Sequence, residues 1–242
     1  MVGLFIYPSL LPQEVQLQLL AKSFHRDLSN RQHQTNVHMF HHVTYPPDND
    51  SYFATSANDL VFEPKDPAVH KPIATQQYLT KKLRWITLGG QYDWTNKVYP
   101  DGPPPAFPAD IKSLVEGLFP MKAEAAIVNL YSPGDTLSLH RDVSEECDQP
   151  LASISLGCDG IFVIGLDGTE PGEPARVATL RLQSGDAVLM SGESRYAWHS
   201  VPKVLEGTCP TWMQQWPGSE WQQWDGWMKR KRINLNVRQM FD

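Results

Sequence analysis

From Glu124 onward the chain breaks into short apolar runs separated by turn residues, and that rhythm limits the fold more than any other feature. The runs cover 125–131, 136–140, 151–157, 160–166, 177–182, 186–190 and 232–238, with Gly134-Asp135, Asp167-Gly168 and Gly185-Asp186 among the breaks. Runs of this length bounded by Gly and Asp form strands, and many of them in succession give a β-sandwich or jelly roll. Upstream, Leu17, Leu20, Phe24 and Leu28 recur at helical spacing after Pro12, and a second helix is expected over about 109–117. Residues 83–88 read as a strand and 100–108 as a Pro-rich connector, while 30–80 form a long irregular excursion. Between 205 and 230 lie five tryptophans, of which Trp221 and Trp224, with Met228, fit one face of a packing helix. The expected class is therefore α+β and mainly β, with helices ahead of the strands.

A chain of 242 residues can bury a sizeable core. No apolar run approaches membrane-spanning length, so no membrane partner is expected. The apolar start to Pro12 lacks a basic n-region and reads as an early strand or loop, and the first basic residue is Lys22, which poorly supports a mitochondrial presequence. Cys147, Cys158 and Cys209 share no metal-site spacing and suggest reduced thiols in the nucleus or cytoplasm. The formal net charge of -6 does not advertise nucleic-acid binding, although Lys81, Lys82 and Arg84, and then 229–232, form short basic patches.

The last strand carries an unusual row. Alternation puts Ile233, Leu235 and Val237 on one face and Arg232, Asn234, Asn236 and Arg238 on the other, with no carboxylate among them. Such a row would hold a small anion if it faced a cavity. His140-Arg141-Asp142, at the end of another strand, puts an imidazole and a carboxylate on one face. The same triplet at His25-Arg26-Asp27 falls in the predicted helix, where positions two apart diverge, and His25 reads as structural. His-Arg-Asp also occurs in kinase catalytic loops, but no Gly-rich phosphate loop and no Asp-Phe-Gly accompany it. His199 follows the strand and loop of 186–198 and can return to the first pair. Two histidines and one carboxylate leave open positions on an ion, as in non-haem Fe(II) oxygenases. A 2-oxo dicarboxylate chelating that iron would need a buried cation, which Arg232 and Arg238 could supply, with Asn129 and Tyr131 completing its hydrogen bonds.

Taken in order, Asn129-x-Tyr131-x-x-Gly134, Leu137-x-x-His140-x-Asp142, Ser191-Gly192-x-Ser194-Arg195, His199 and Arg232-x-Asn234-x-Asn236-x-Arg238 resemble the AlkB family of Fe(II)- and 2-oxoglutarate-dependent dioxygenases. Residues 83–94 are similar to that family's strand and nucleotide-recognition lid. His140-x-Asp142-x-Ser144-Glu145 and 194–204 are most similar to the eukaryotic AlkB homologue one branch. The resemblance covers about 80–240 and says little about what precedes it.

The resemblance implies a double-stranded β-helix (jelly roll) core at 121–242, preceded by an N-terminal extension and lid at 1–120, in one domain. It implies iron ligation by His140, Asp142 and His199, and 2-oxoglutarate binding by Asn129, Tyr131, Arg232, Asn234 and Arg238, with dioxygen as the second co-substrate. Arg232 would take the distal carboxylate and Arg238 would lie near the C1 carboxylate. On the substrate side it places Trp94, Tyr92, Ser144 and Arg195. The implied activity is oxidative demethylation of bases in tRNA or DNA, easiest on looped or single strands because a paired base must first be extruded. Two departures stand out. Asn236 occupies a usual threonine position, and Ser144 replaces an aspartate of the bacterial repair enzymes, which leaves the target open, including a protein side chain. The protein is expected to act as a monomer.

Overall fold

The computed structural model describes residues 1–55, 59–93, 96, 98–100, 102–168 and 173–241. Three antiparallel sheets account for its strands. The largest runs in the order β1 (Leu4–Tyr7), β11 (Ala187–Met190), β8 (Leu151–Gly157), β13 (Arg232–Arg238), β6 (Ala125–Tyr131) and β5 (Trp85–Gly89). Facing it is a sheet of β10 (Arg176–Leu182), β9 (Gly160–Leu166), β12 (Trp198–Val204) and β7 (Leu137–His140). A small third sheet joins β2 (His41–His42), β3 (Val61–Pro64) and β4 (Ile73–Ala74). The predicted strands from 125 onward appear with ends shifted by a residue at most. Among the described residues, no helix is long and apolar enough to cross a membrane.

The six-stranded sheet is covered on both faces, so its central strands β6, β8 and β13 are buried almost throughout, polar positions included. Its outer face turns Ile233, Leu235 and Val237 toward a core that also holds Leu20, Phe24 and Val115. Those last three come from α1 (Gln13–Ala21), its π-helical continuation Lys22–Asp27, and α3 (Ala109–Leu118). Its inner face meets the four-stranded sheet through a second core of Leu151, Phe162, Ile164, Val188, Met190 and Val201. The four-stranded sheet is apolar on one side only, as the burial alternation of β10 shows.

The described part of the irregular excursion, 30–55 and 59–80, is a packed layer: besides the small sheet and the single turn α2 (Thr75–Gln77), it buries Tyr52, Phe53, Phe62 and Tyr78 completely. One expectation is corrected. The tryptophan segment is not one helix. It forms three separate 3-10 turns, Thr211–Met213, Ser219–Trp224 and Trp227–Arg230, because Pro217, a kink at Trp221 and left-handed Gly226 stop propagation. The packing role survives: Trp216 and Trp227 lie edge-on to Phe24 and Phe53. His25 is structural as expected, stacked against Trp216 and Trp221 with its Nδ1 2.7 Å from Ser51 Oγ.

Candidate metal and co-substrate site

Between the two large sheets lies a cavity of about 420 Å³. Strand register decides what faces it. In β13, Asn234 pairs with Asn129 and Arg232 with Tyr131 on one side, and Asn234 pairs with Ser155 and Asn236 with Ser153 on the other. Cross-strand partners share a face, so the whole polar row looks into the cavity.

Opposite that row, β12 and β7 bring His199 directly against His140. The candidate ligand atoms of His140, Asp142 and His199 all lie within 4.8 Å of one another. Nε2 of His140 is 3.8 Å from Asp142 Oδ1, and Nε2 of His199 is 3.9 Å from Oδ2. The Nδ1 atoms sit 2.8 Å from Ser138 O and 3.1 Å from Ala197 O. A carbonyl can only accept, so each Nδ1 carries the proton and each Nε2 lone pair faces the cluster. Burial opposes ionisation of Asp142, but Arg238 and the two imidazoles outweigh it and hold the carboxyl well below its usual range. Burial also lowers His199 and keeps it neutral. Two imidazoles that turn Nε2 to the cluster and an ionised carboxylate, with room beside them, fit a divalent ion with open positions.

The arginines are unequal. Arg232 is 1% exposed and donates to Ser155 Oγ (3.0 Å) and Cys158 O (3.4 Å), with no carboxylate at ion-pair distance among the described residues. Its Nε has no hydrogen-bond partner there. A Cβ at Gly160 would lie 2.5 Å from that Nε, so only glycine leaves the guanidinium its place. Arg238, by contrast, is already paired: Nη2 is 2.9 Å from Asp142 Oδ2, and Nε is 3.2 Å from Glu145 Oε1 without hydrogen-bond alignment. Asn236 donates weakly to Asp142 Oδ2 (3.4 Å) and leaves its Oδ1 unpartnered. Asn234 donates to Ser153 Oγ at 2.7 Å. Burial pushes the Tyr131 phenol up to about 12, partly opposed by Arg232, so it stays a neutral hydroxyl.

Among the charges sealed from solvent about the cluster, Arg232, Arg238 and, behind them, Arg195 offset Asp142 and Glu145, leaving one positive charge before any ion binds, with Arg141 exposed at the rim. A divalent ion raises the surplus to three, and a dianion brings it back to one. A dicarboxylate with Arg232 at its far end fits both the charge and the orphaned Nε donor.

On the substrate side the expectations divide. Tyr92 and Ser144 line the mouth and meet at 3.1 Å, hydroxyl to hydroxyl. Trp94 lies outside the described residues. Arg195 is corrected: it does not face the cavity, because its donors are spent behind it. It donates to Glu145 Oε2 (2.7 Å), Asp142 O (2.9 Å) and Gln149 O (2.9 Å), bracing the loop that carries Asp142. The reading of the sequence missed Glu145 as the buried anion between Arg195 and Arg238. It also missed Tyr99, whose hydroxyl reaches Glu145 Oε1 at 3.4 Å. Ser153 and Ser155 had a signal, two hydroxyls in an apolar strand opposite the amides; Tyr99, inside an irregular connector, had none.

Two facing antiparallel sheets with a His-Asp-His cluster and a buried cation between them define an iron- and 2-oxo-acid-dependent oxygenase. The family model described as the 2OG-Fe(II) oxygenase superfamily matches residues 3–238, and the chain belongs to that superfamily. Within it the chain falls in the AlkB family, on the eukaryotic AlkB homologue one branch. It is 52% identical to the N6-methyladenosine RNA demethylase ALKB1 of Pyricularia oryzae over 98% of this chain and 74% of that protein. It is 40% identical to the tRNA demethylase abh1 of Schizosaccharomyces pombe over 98% of this chain and 79% of that one. Among solved structures, that of OsALKBH1 is similar in fold, with a TM-score of 0.60 at 18% identity, covering 98% of this chain and 96% of the other.

Proposed function

We propose that this protein oxidatively removes N-methyl groups from bases of RNA, with methylated adenine in messenger-like or transfer RNA as the first substrates to try. The observation that carries the reading is Arg232, a buried guanidinium with no carboxylate at ion-pair distance among the described residues, on the strand that faces the His140–Asp142–His199 cluster. The relatives described above as RNA and tRNA demethylases support the choice of polymer.

In this reading His140, Asp142 and His199 hold iron. Arg232 and Tyr131 bind the distal carboxylate of 2-oxoglutarate, while Asn129, Asn234 and Arg238 orient the rest. When bound, the iron, 2-oxoglutarate and dioxygen supply an oxidant that hydroxylates the methyl carbon, after which formaldehyde leaves. The chain's own contribution is placement. Carbonyl-bound Nδ1 protons fix both imidazoles, Arg195 and Glu145 hold the Asp142 loop, and the two sheets keep water from the reacting atoms. Tyr92 and Ser144 would meet the extruded base at the mouth, and a looped or single strand is favoured because extrusion is then cheapest. We read the two sheets as a double-stranded β-helix preceded by an N-terminal extension and lid at 1–120, and 1–242 as one domain acting as a monomer in the nucleus or cytoplasm.

The test is 2-oxoglutarate turnover and formaldehyde release across a panel of methylated RNA, DNA and peptide, with Asp142→Ala as control. Release from RNA that the control abolishes is expected. Turnover on peptide alone would replace the nucleic-acid reading, and activity surviving in Asp142→Ala would remove the metal assignment.

A further inference from the structure

The outer face of the four-stranded sheet carries a group that the cavity chemistry leaves unused. Arg141 follows β7, between His140 and Asp142, at the rim where the cavity wall turns into that outer face. Its guanidinium carbon lies 4.7 Å from the centroid of the Trp198 ring. His199 pairs with His140, so Trp198 and Arg141 are brought opposite each other one step along the ladder, Trp198 pointing away from the cluster. Arg181 is paired with Asp159 and Arg176 with Glu193, while Arg141 has no carboxylate partner among the described residues.

Beside the indole one position of the outer face carries no side chain. Trp198 pairs with Gly165, and Gly165 pairs with Val177. Cross-strand partners share a face, so the absent side chain at Gly165 leaves a shallow bay walled by Trp198 and Val177. A Cβ there would meet Val177 Cγ2 at 3.3 Å, which shows how closely that wall stands. Val177 is 62% exposed and Leu139, on neighbouring β7, 61%. An apolar bay next to a planar cation suits a flat, anion-linked ligand, because unpaired bases stack on indoles and guanidinium planes while a nearby cation takes the phosphate. In a protein of net charge -6, an arginine at the cavity rim with no carboxylate partner among the described residues offers a phosphate chain a local counter-charge.

We infer that the Trp198 bay and Arg141 form a docking site for the nucleotide adjacent to the reactive base. The flanking base packs into the bay against the indole, and Arg141 takes the phosphate between it and the base entering the cavity. The inference rests on the RNA-demethylase reading and adds to it the subsite that reads an unpaired neighbour.

Binding of a short unmethylated single-stranded RNA by fluorescence anisotropy tests the site whether or not any oligomer turns over. Trp198→Ala should weaken binding by about fivefold or more, and Trp198→Phe should recover most of it. Arg141→Ala should lower the slope of log affinity against log salt by about 0.7, the loss of one phosphate contact on a single strand. In turnover assays the Trp198→Ala defect should appear in KM for a methylated oligomer and be small for the methylated nucleoside monophosphate. Unchanged affinity and salt slope would overturn the site, as would equal defects on both substrates or preference for a peptide at this face. RNA bound through Trp198 without demethylation would instead sink the activity and leave the site standing.

Discussion

Arg238 Nη2 and Asp142 Oδ2 lie 2.9 Å apart, so the arginine that ends the polar row is tied to the one carboxylate of the metal cluster. The pair is nearly sealed, with side chains 7% and 12% exposed, and breaking such a pair from one side strands the other charge. In metal-free protein, Arg238→Met should cost about 3–5 kcal/mol at neutral pH. Because the folded Asp142 carboxyl is depressed, the pair's stabilisation is full above the unfolded value of about 3.9 and is lost as pH falls through the lower folded one. Urea unfolding of chelator-treated protein should therefore show the wild-type advantage shrinking below about pH 4. A difference that ignores pH would contradict the pairing.

Arg232 behaves in the opposite way. It is buried with an orphaned Nε and no carboxylate partner among the described residues, and burial lowers its pKa. Arg232→Met should leave the ligand-free protein at least as stable as wild type, yet raise KM for 2-oxoglutarate by about thirtyfold or more, since an anion would lose its buried partner. Thermal unfolding with and without 2-oxoglutarate separates the two effects. A variant that melts early without ligand and keeps its KM would show that Arg232 is structural.

Gly160 gives a gentler probe of the same cation. An added methyl would sit 2.5 Å from Arg232 Nε and 2.8 Å from Cζ. Overpacking of this kind costs roughly 1–3 kcal/mol, and here it should fall on the guanidinium's position. Gly160→Ala should raise KM for 2-oxoglutarate by about tenfold while iron affinity, measured by titration, stays near wild type. Equal losses in both would point to general damage of β9.

Lys231 should make stability rise in mild alkali. Burial pushes its ammonium down to about 8, although Nζ donates to Thr80 O and Ser132 Oγ. The unfolded value is about 10.4, so between these limits the unfolded chain binds more protons and folding is favoured as pH rises. The penalty for burying the charge is full below about 8 and is relieved toward 10.4. Denaturation midpoints of wild type and Lys231→Met should accordingly shift in favour of wild type across that window, by on the order of 3 kcal/mol. A constant gap would mean the ammonium stays solvated.

The strands and the cluster were readable in the chain because each depends on local alternation. Arg232 to Arg238 faces one cavity since period two is enforced by the backbone, and His140 and Asp142 converge for the same reason. Partners set by tertiary distance were not readable. Glu145 meets Arg238 only because the β7–β8 connection folds over the end of β13, and no spacing announces a contact across 93 residues. Arg195 looked available to substrate in the sequence, and only the structure shows its donors turned to the back of the Asp142 loop. The tryptophans misled in a third way: their helical spacing was real, but Pro217 and Gly226 cut the segment into separate turns that still pack as a unit.

β7 lies at the border of its sheet and is held to β12 by a ladder of two register pairs interrupted by a bulge, one of them His199 with His140. The cluster therefore straddles a short, bulged seam between an edge strand and the rest of its sheet. An ion seated there would work as a clasp, fastening a peripheral strand to the interior, so that loading and local order rise together. Amide exchange along 137–140 would then report occupancy without any turnover, slow in the loaded protein and fast once a chelator opens the clasp.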